Sequence, residues 1–193
     1  MSVNEQHVRD FARSCVRSGL LDERQLLEEL SAVIAADLPH RAAEAPALAS
    51  AWIESYRAEL DADQRHWPQV TDHDRLQAVF GTLEESGVVV LQGCEDHWSA
   101  KAVLDDRAGT GHPVVGVAWF TAPDVWHAID AGMLEVNLWH GTTANVAPGD
   151  ALLAQVLAVF AEHGLEAHFD EGRIEVGTHW QRRPSPPRST MKP

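Results

Sequence analysis

The pattern that most constrains the fold is a strict alternation of aliphatic and other side chains in the second half of the chain. The aliphatic positions are Leu134, Val136 and Leu138, and the positions between them and after them are Glu135, Asn137 and Trp139. Successive side chains of a strand point to opposite faces of a sheet. Residues 133–139 are therefore predicted to form a strand with one buried face and one polar face.

A predicted hairpin around Glu171-Gly172 repeats the alternation. Its polar positions are Glu166, His168, Asp170, Arg173 and Glu175, and its apolar positions are Leu165, Ala167, Phe169, Ile174 and Val176. The helices of the domain are expected to cover the apolar face. The polar face is either solvated or covered by the N-terminal helices or a partner protein, and an exposed Trp139 would favour the partner. The candidate binding residues on this face are Glu135, Asn137, Trp139, His168 and Arg173.

The remaining periodicity predicts an α+β fold. An N-terminal helical segment spans residues 1–70, and a two-layer helix/sheet domain follows over residues 72–183. In that domain, Asp72 is expected to cap a helix, and uniformly apolar strands cover residues 88–91 and 114–120. A disordered tail is predicted over residues 184–193 because the segment is rich in proline, serine and arginine.

The chain is strongly acidic, with a formal net charge of −14 over 193 residues. DNA and RNA backbones bind through lysine and arginine side chains that displace their counterions. Nucleic-acid binding is therefore disfavoured, and an acidic surface is better suited to solubility or to docking a basic protein partner.

Cysteine content and the N-terminus indicate a cytoplasmic protein. The two cysteines, Cys15 and Cys94, lie in different predicted segments, which is typical of a reducing compartment. The chain shows no signal peptide and no apolar run long enough to cross a membrane.

One short segment combines residue types that bind transition metals. Cys94, Glu95 and His97 follow the first predicted strand, and His112 or His140 could join them. No paired-ligand spacing such as CxxC or HExxH occurs, so a polar connection around a buried thiol is the simpler interpretation. A Cys94 nucleophile with His97 as its base is a further alternative.

The segment after the last predicted strand carries Trp180, Arg182 and Arg183. We interpret Trp180 as a clasp at the end of the domain, with the arginines paired to the acidic edge of the sheet. The alternative is that the arginine pair binds an anionic ligand.

Several short features occur in a fixed order between residues 74 and 183. They include Arg75-Leu76, Gly87-Val88-Val89, Trp119-Phe120, residues 128–141, Gly164-Leu165-Glu166 and Trp180-Gln181-Arg182-Arg183. In this order they resemble an uncharacterised bacterial domain family, a domain of unknown function. The resemblance implies no activity. Several cysteines follow the first strand in that family, and this chain has only Cys94 there.

These observations favour a non-enzymatic interaction or regulatory module with no cofactor and no assigned catalytic residue. One alternative is a metal- or ligand-binding enzyme that uses the Cys94, Glu95 and His97 cluster. The other is a small-molecule sensor with a pocket built from tryptophans, namely Trp119, Trp126 and Trp139. The oligomeric state is left open by the sequence.

Overall fold

The computed structural model describes residues 3–109, 114–142 and 144–184. The chain divides into two compact units, Met1–Trp67 with Gln181–Pro193, and Pro68–Trp180. Helices come first and a five-stranded sheet follows within the described residues, which confirms the predicted α+β class. The boundary between these units, at residues 67 and 68, lies a few residues before the domain boundary predicted from the sequence. Residues 185–193, most of the predicted tail, lie outside the described residues.

The first unit is built from the helices α1 (Val3–Ser18), α2 (Glu23–Asp37) and α3 (Ala45–Gln64), with a 3-10 turn at Pro39–Glu44. Asp22 caps α2, because its side chain accepts a hydrogen bond from the backbone N–H of Gln25 and the Gln25 side chain accepts one from the backbone N–H of Asp22. The stripe of α2 that carries Leu30 and Ile34 is fully buried. Helical periodicity therefore predicted this unit well.

The second unit contains four helices and five strands within its described residues. The helices are α4 (Asp72–Glu85), α5 (His97–Gly109), α6 (Ala122–Asp130) and α7 (Ala151–Glu162). The strands are β1 (Val88–Cys94), β2 (Gly116–Thr121), β3 (Met133–His140), β4 (Glu166–Asp170) and β5 (Arg173–Gly177). In the turn between β4 and β5, Glu171 and Gly172 both have positive φ, at 43° and 93°. Tight hairpins favour such turns because they match the twist of the strands.

Two local expectations need correction. The N-cap of α4 is Thr71 rather than Asp72, because the Thr71 side chain accepts from the N–H of Asp74 and the Asp74 carboxylate accepts from Thr71. Asp72 is instead the first helical residue. The first strand also continues beyond residue 91 to Cys94, with an irregularity in its pairing between Gln92 and Cys94.

The sheet has the strand order β1-β2-β3-β5-β4. The β1 and β2 strands are parallel, and every other neighbouring pair is antiparallel. Residue pairs in register include Trp119 with Asn137, Glu135 with Glu175, and His168 with Glu175. This register decides which side chains share a face.

The apolar face of the sheet packs against α4 and α7. Phe80 of α4 contacts Phe120 of β2, with ring centroids 5.8 Å apart. On this face Leu134, Ile174 and Val176 are fully buried, as the alternation predicted. In the described part of this unit, β3, β5 and β4 therefore form a two-layer arrangement with the helices.

The second face is covered only where β1 and β2 lie, as far as the described residues of this unit show. Ala100 and Leu104 of α5 pack there against Val89, Val117 and Trp119, and we call these five residues the α5 cluster. The uniformly apolar β1 and β2 are thus enclosed by helices on both faces.

Candidate functional site

The polar side chains of β3, β5 and β4 share the second face of the sheet. We call this surface the acidic face, and its residues are Glu135, Asn137, Glu166, His168, Asp170, Arg173 and Glu175. The register places Glu135 directly opposite Glu175. Side chains opposite each other on neighbouring strands have Cβ atoms about 5 Å apart, so these two carboxylates repel each other.

Two basic side chains contact these carboxylates. The Arg173 guanidinium forms an ion pair with Glu135, and the His168 ring lies 3.3 Å from the Glu175 carboxylate. The side chains of His168 and Arg173 are 69% and 52% exposed. Surface ion pairs of this kind stabilise a fold by at most about 1 kcal/mol. The two basic side chains are therefore more exposed than the carboxylates that they contact, since the side chains of Glu135 and Glu175 are 25% and 29% exposed.

A shallow depression marks the most acidic part of this face. It has a volume of about 240 Å³ and is lined by one guanidinium and four carboxylates, those of Arg173 and of Glu135, Asp170, Glu171 and Glu175. The carboxylates exceed the guanidinium in charge, so the depression attracts cations.

Asn137 and Trp139 lie where the acidic face meets the part covered by α5. The Asn137 amide donates to the Trp119 carbonyl at 3.5 Å. The Trp139 ring is half-buried and meets the Trp119 ring edge-on, with centroids 5.2 Å apart. Trp139 therefore packs beside the α5 cluster and is not the exposed anchor that would most favour a partner.

The three tryptophans proposed as a ligand pocket lie on three different elements. Trp119 and Trp139 pack with Val89 and Val117 beneath α5. Trp126 is half-buried on α6. Trp119 and Trp139 thus belong to the packing beneath α5.

The residues of the Trp180 segment fall in separate surroundings. Trp180 is buried in the second unit, where its ring meets His73 and Phe120 at centroid distances of 4.8 and 5.9 Å. In the first unit, the Arg182 guanidinium lies directly against Gly19. Also in the first unit, Arg183 stacks over Trp67. These contacts of the two arginines lie within the first unit.

Cys94, Glu95 and His97 point into different surroundings. The Cys94 thiol contacts the α5 cluster and donates to the Phe120 carbonyl at 3.6 Å, whereas Glu95 and His97 are exposed. Burial is the main cause that raises the pKa of the Cys94 thiol, and the charges of Asp124 and Asp96 add to it. A raised pKa lowers the thiolate fraction that a nucleophile or metal ligand needs.

His140, one of the two additional histidines, lies away from Cys94. Within the described ranges, no group of three or more histidine, cysteine or acidic side chains could hold a metal ion. His140 pairs with Gly116 at the start of β2, whereas Cys94 pairs with Thr121 at its end. At about 3.3 Å per residue these ends are roughly 16 Å apart. His112 lies outside the described residues.

His140 instead forms a local pair with Asp150. The ring Nε2 lies 3.0 Å from the Asp150 carboxylate, which also accepts the backbone N–H of Ala147 at 2.8 Å. The Ala147 N–H, followed by His140, holds the pKa of Asp150 below its usual value. This arrangement fixes the loop before α7.

Two features of the surface were not found by sequence reasoning. A groove of about 320 Å³ runs between α7 and β4, lined by Leu153, Ala154, Leu157, Phe169 and the loop at residues 148–150. We call it the edge groove. Trp98, at the start of α5, is 64% exposed. The alternation indicates that Phe169 faces the helices, but the sequence gives no sign that the helices leave its side chain partly uncovered.

Comparison with known proteins identifies the family without assigning an activity. No helix within the described residues is long and apolar enough to span a membrane. Neither the curated proteins nor the solved structures include a match to this chain. A family model described as a domain of unknown function, DUF6891, matches residues 2–184 and so extends the resemblance through the N-terminal helices. The chain belongs to this family.

Proposed function

We propose that this protein is a non-enzymatic interaction module that docks a basic segment of a partner protein on its acidic face. The observation that carries the proposal is the depression in which four carboxylates surround Arg173. The proposal places the protein in the cytoplasm and assigns it no cofactor and no nucleic-acid ligand.

The arrangement of charges supports a cationic ligand. Glu135 and Glu175 are opposed in register, and Arg173 must also compensate the Asp170 carboxylate across the β4–β5 ladder. One guanidinium cannot neutralise these groups together. A lysine or arginine from a partner would reduce the remaining repulsion between these carboxylates, and this reduction would favour binding.

The acidic character of the whole chain supports the same partner. A net charge of −14 produces a field that attracts basic proteins and raises their rate of encounter. The exposed parts of the acidic face then provide the short-range contacts. Because these contacts are solvated, we expect affinity to fall steeply as salt increases.

Fluorescence anisotropy with a labelled peptide of alternating lysine and glycine tests the proposal. The informative variant carries Glu166→Lys and Asp170→Lys, which reverse two exposed carboxylates of the acidic face. The matched control carries Glu84→Lys and Glu85→Lys, which reverse two exposed carboxylates at the end of α4. Both variants change the net charge equally.

We expect the peptide to bind the natural chain at low salt and to lose affinity by about tenfold or more with the acidic-face variant. The control is expected to change affinity by no more than about twofold. An equal loss in both variants would mean that net charge alone drives binding, and the acidic face would then not be the docking site. Absence of binding to the natural chain at low salt would also reject the proposal.

A further inference from the structure

The β4 strand forms one edge of the sheet. It has five residues and pairs with β5 on one side, and the described residues provide no strand on its other side. Alternate backbone N–H and C=O groups of such a strand point away from the sheet. An open edge of this kind is a template for an added strand.

Each side of this edge has a different chemistry. Ala167 and Phe169 are half-buried and share the face that packs on the helices. Phe169 also lines the edge groove, together with Leu153 and Leu157 of α7. On the opposite side, Glu166, His168 and Asp170 are exposed members of the acidic face. The edge therefore separates an apolar groove from an acidic surface.

We propose that β4 binds an extended partner segment in which apolar and basic residues alternate, by addition of that segment as a sixth strand to the five-stranded sheet. Side chains of an added strand point alternately to the two faces of the sheet. The apolar ones enter the edge groove and the basic ones lie over the acidic face. Main-chain hydrogen bonds supply affinity, and the alternating surroundings supply specificity. The inference rests on the proposed function and names the chemistry of the partner.

Charge decides between a partner protein and a second copy of this chain. Antiparallel pairing of β4 with its own copy about His168 would place Glu166 opposite Asp170 at both ends of the pair. Like charges directly opposite each other destabilise a pair of strands. A strand that carries lysine or arginine at these positions has the opposite effect, so we assign the edge to a basic partner.

The test compares two labelled peptides of equal length and charge. One alternates lysine with valine, and the other is the flexible lysine–glycine peptide. The protein variant is Ala154→Gln, since Ala154 is exposed and lines the edge groove. A glutamine there fills the groove and makes it polar without a change in charge. The matched control is Ala158→Gln, at an exposed position on the same helix that does not line the groove.

We expect the lysine–valine peptide to bind the natural chain at least about tenfold more tightly than the lysine–glycine peptide. Ala154→Gln should remove this difference and leave the affinity for the lysine–glycine peptide unchanged, whereas Ala158→Gln should preserve it. N-methylation of alternate peptide bonds on the edge that faces β4 should also abolish the gain. That measurement uses the natural chain, so it does not depend on the folding of a variant.

Three outcomes would overturn the inference. Equal binding of the two peptides would reject strand addition but leave the acidic face as a docking site for basic segments. A gain in affinity that survives N-methylation or Ala154→Gln would place the valines elsewhere on the molecule. Failure of both peptides to bind at low salt would reject the inference together with the proposed function.

Discussion

Two neighbouring residues of β5 provide a direct test of the two-faced sheet. Ile174 is completely buried against the helices, whereas the side chain of Glu175 lies on the acidic face and is 29% exposed. Ile174→Ala removes three carbon atoms, worth about 2.4 kcal/mol of transfer free energy at about 0.8 kcal/mol each. The residual cavity raises the expected cost to about 3–4 kcal/mol.

Glu175→Ala should change the free energy of unfolding by less than about 0.5 kcal/mol. It loses the weak contact with His168 but also removes the repulsion with Glu135. Urea unfolding followed by tryptophan fluorescence measures both costs. With a slope of about 2 kcal/mol per molar urea, Ile174→Ala lowers the midpoint by about 1.5–2 M, and Glu175→Ala shifts it by less than about 0.3 M.

Comparable losses in the two variants would refute this reasoning. They would show that the second face is packed at β5, and the proposed docking surface would then be part of a core. A small loss for Ile174→Ala together with an unchanged slope would refute the assignment of the apolar face instead.

Three further predictions follow from caps and titrating groups. Thr71→Ala should lower the free energy of unfolding by about 1 kcal/mol in urea, because it removes the side-chain cap of α4, and Thr71→Ser should retain most of it. The N–H of Ala147 lowers the pKa of Asp150 below about 3.8 in the folded protein. The ionised Asp150 carboxylate therefore stabilises the fold above that pH, and this contribution is lost as the pH falls through the folded pKa. The melting temperature of Asp150→Asn should consequently fall less than that of the natural chain when the pH is lowered into the acid range. Burial raises the pKa of Cys15 from 9.0 to about 12, so stability is retained below pH 9 and lost between pH 9 and 12. Over that interval, Cys15→Ala should reduce the alkaline slope of the unfolding free energy by about 1.4 kcal/mol per pH unit, measured by urea titrations.

The alternating strands could be predicted because one-sided burial leaves a period of two in the sequence. That rule correctly divided residues 133–139 between the two faces, and Leu134, Val136 and Leu138 are all buried. The cap of α2 by Asp22 is a contact of the same local kind, between residues three apart in the sequence. The cap of α4 was misplaced by one residue, because Thr71 and Asp72 are both good capping residues and only the backbone geometry separates them.

The candidate site depended on facts that no local pattern contains. The contacts of Glu135 with Arg173 and of Glu175 with His168 follow from the pairing of β3 with β5 and of β5 with β4. The edge groove follows from how far α7 extends over Phe169. Cys94 and His97 are close in sequence, but the strand continues through Cys94 and turns its thiol toward α5. Proximity along the chain was therefore a poor guide to convergence.

The position of the acidic face is a consequence of how the strands are connected. Parallel strands require a crossover, and crossovers are almost always right-handed. The β1–α5–β2 and β3–α7–β4 connections both advance in the same direction across the sheet, but β3 runs antiparallel to β2. Two right-handed crossovers that advance in the same direction from oppositely directed strands put their helices on opposite faces of the sheet, and α5 and α7 are placed in this way.

This topology explains why cover on the second face stops near Trp139. The α5 helix spans only β1 and β2, and α7 lies on the other side of the sheet. In the described part of the unit, β3, β5 and β4 thus keep a polar face because no crossover helix lies over it.

Polar residues on such a face need no functional explanation in themselves. The excess of carboxylates over cations does need one, since balanced charges would solvate the face equally well without opposing Glu135 to Glu175. The proposed basic partner would provide that balance, and for this reason we propose the docking surface there rather than on the exposed Trp98 at the other end of the strand order.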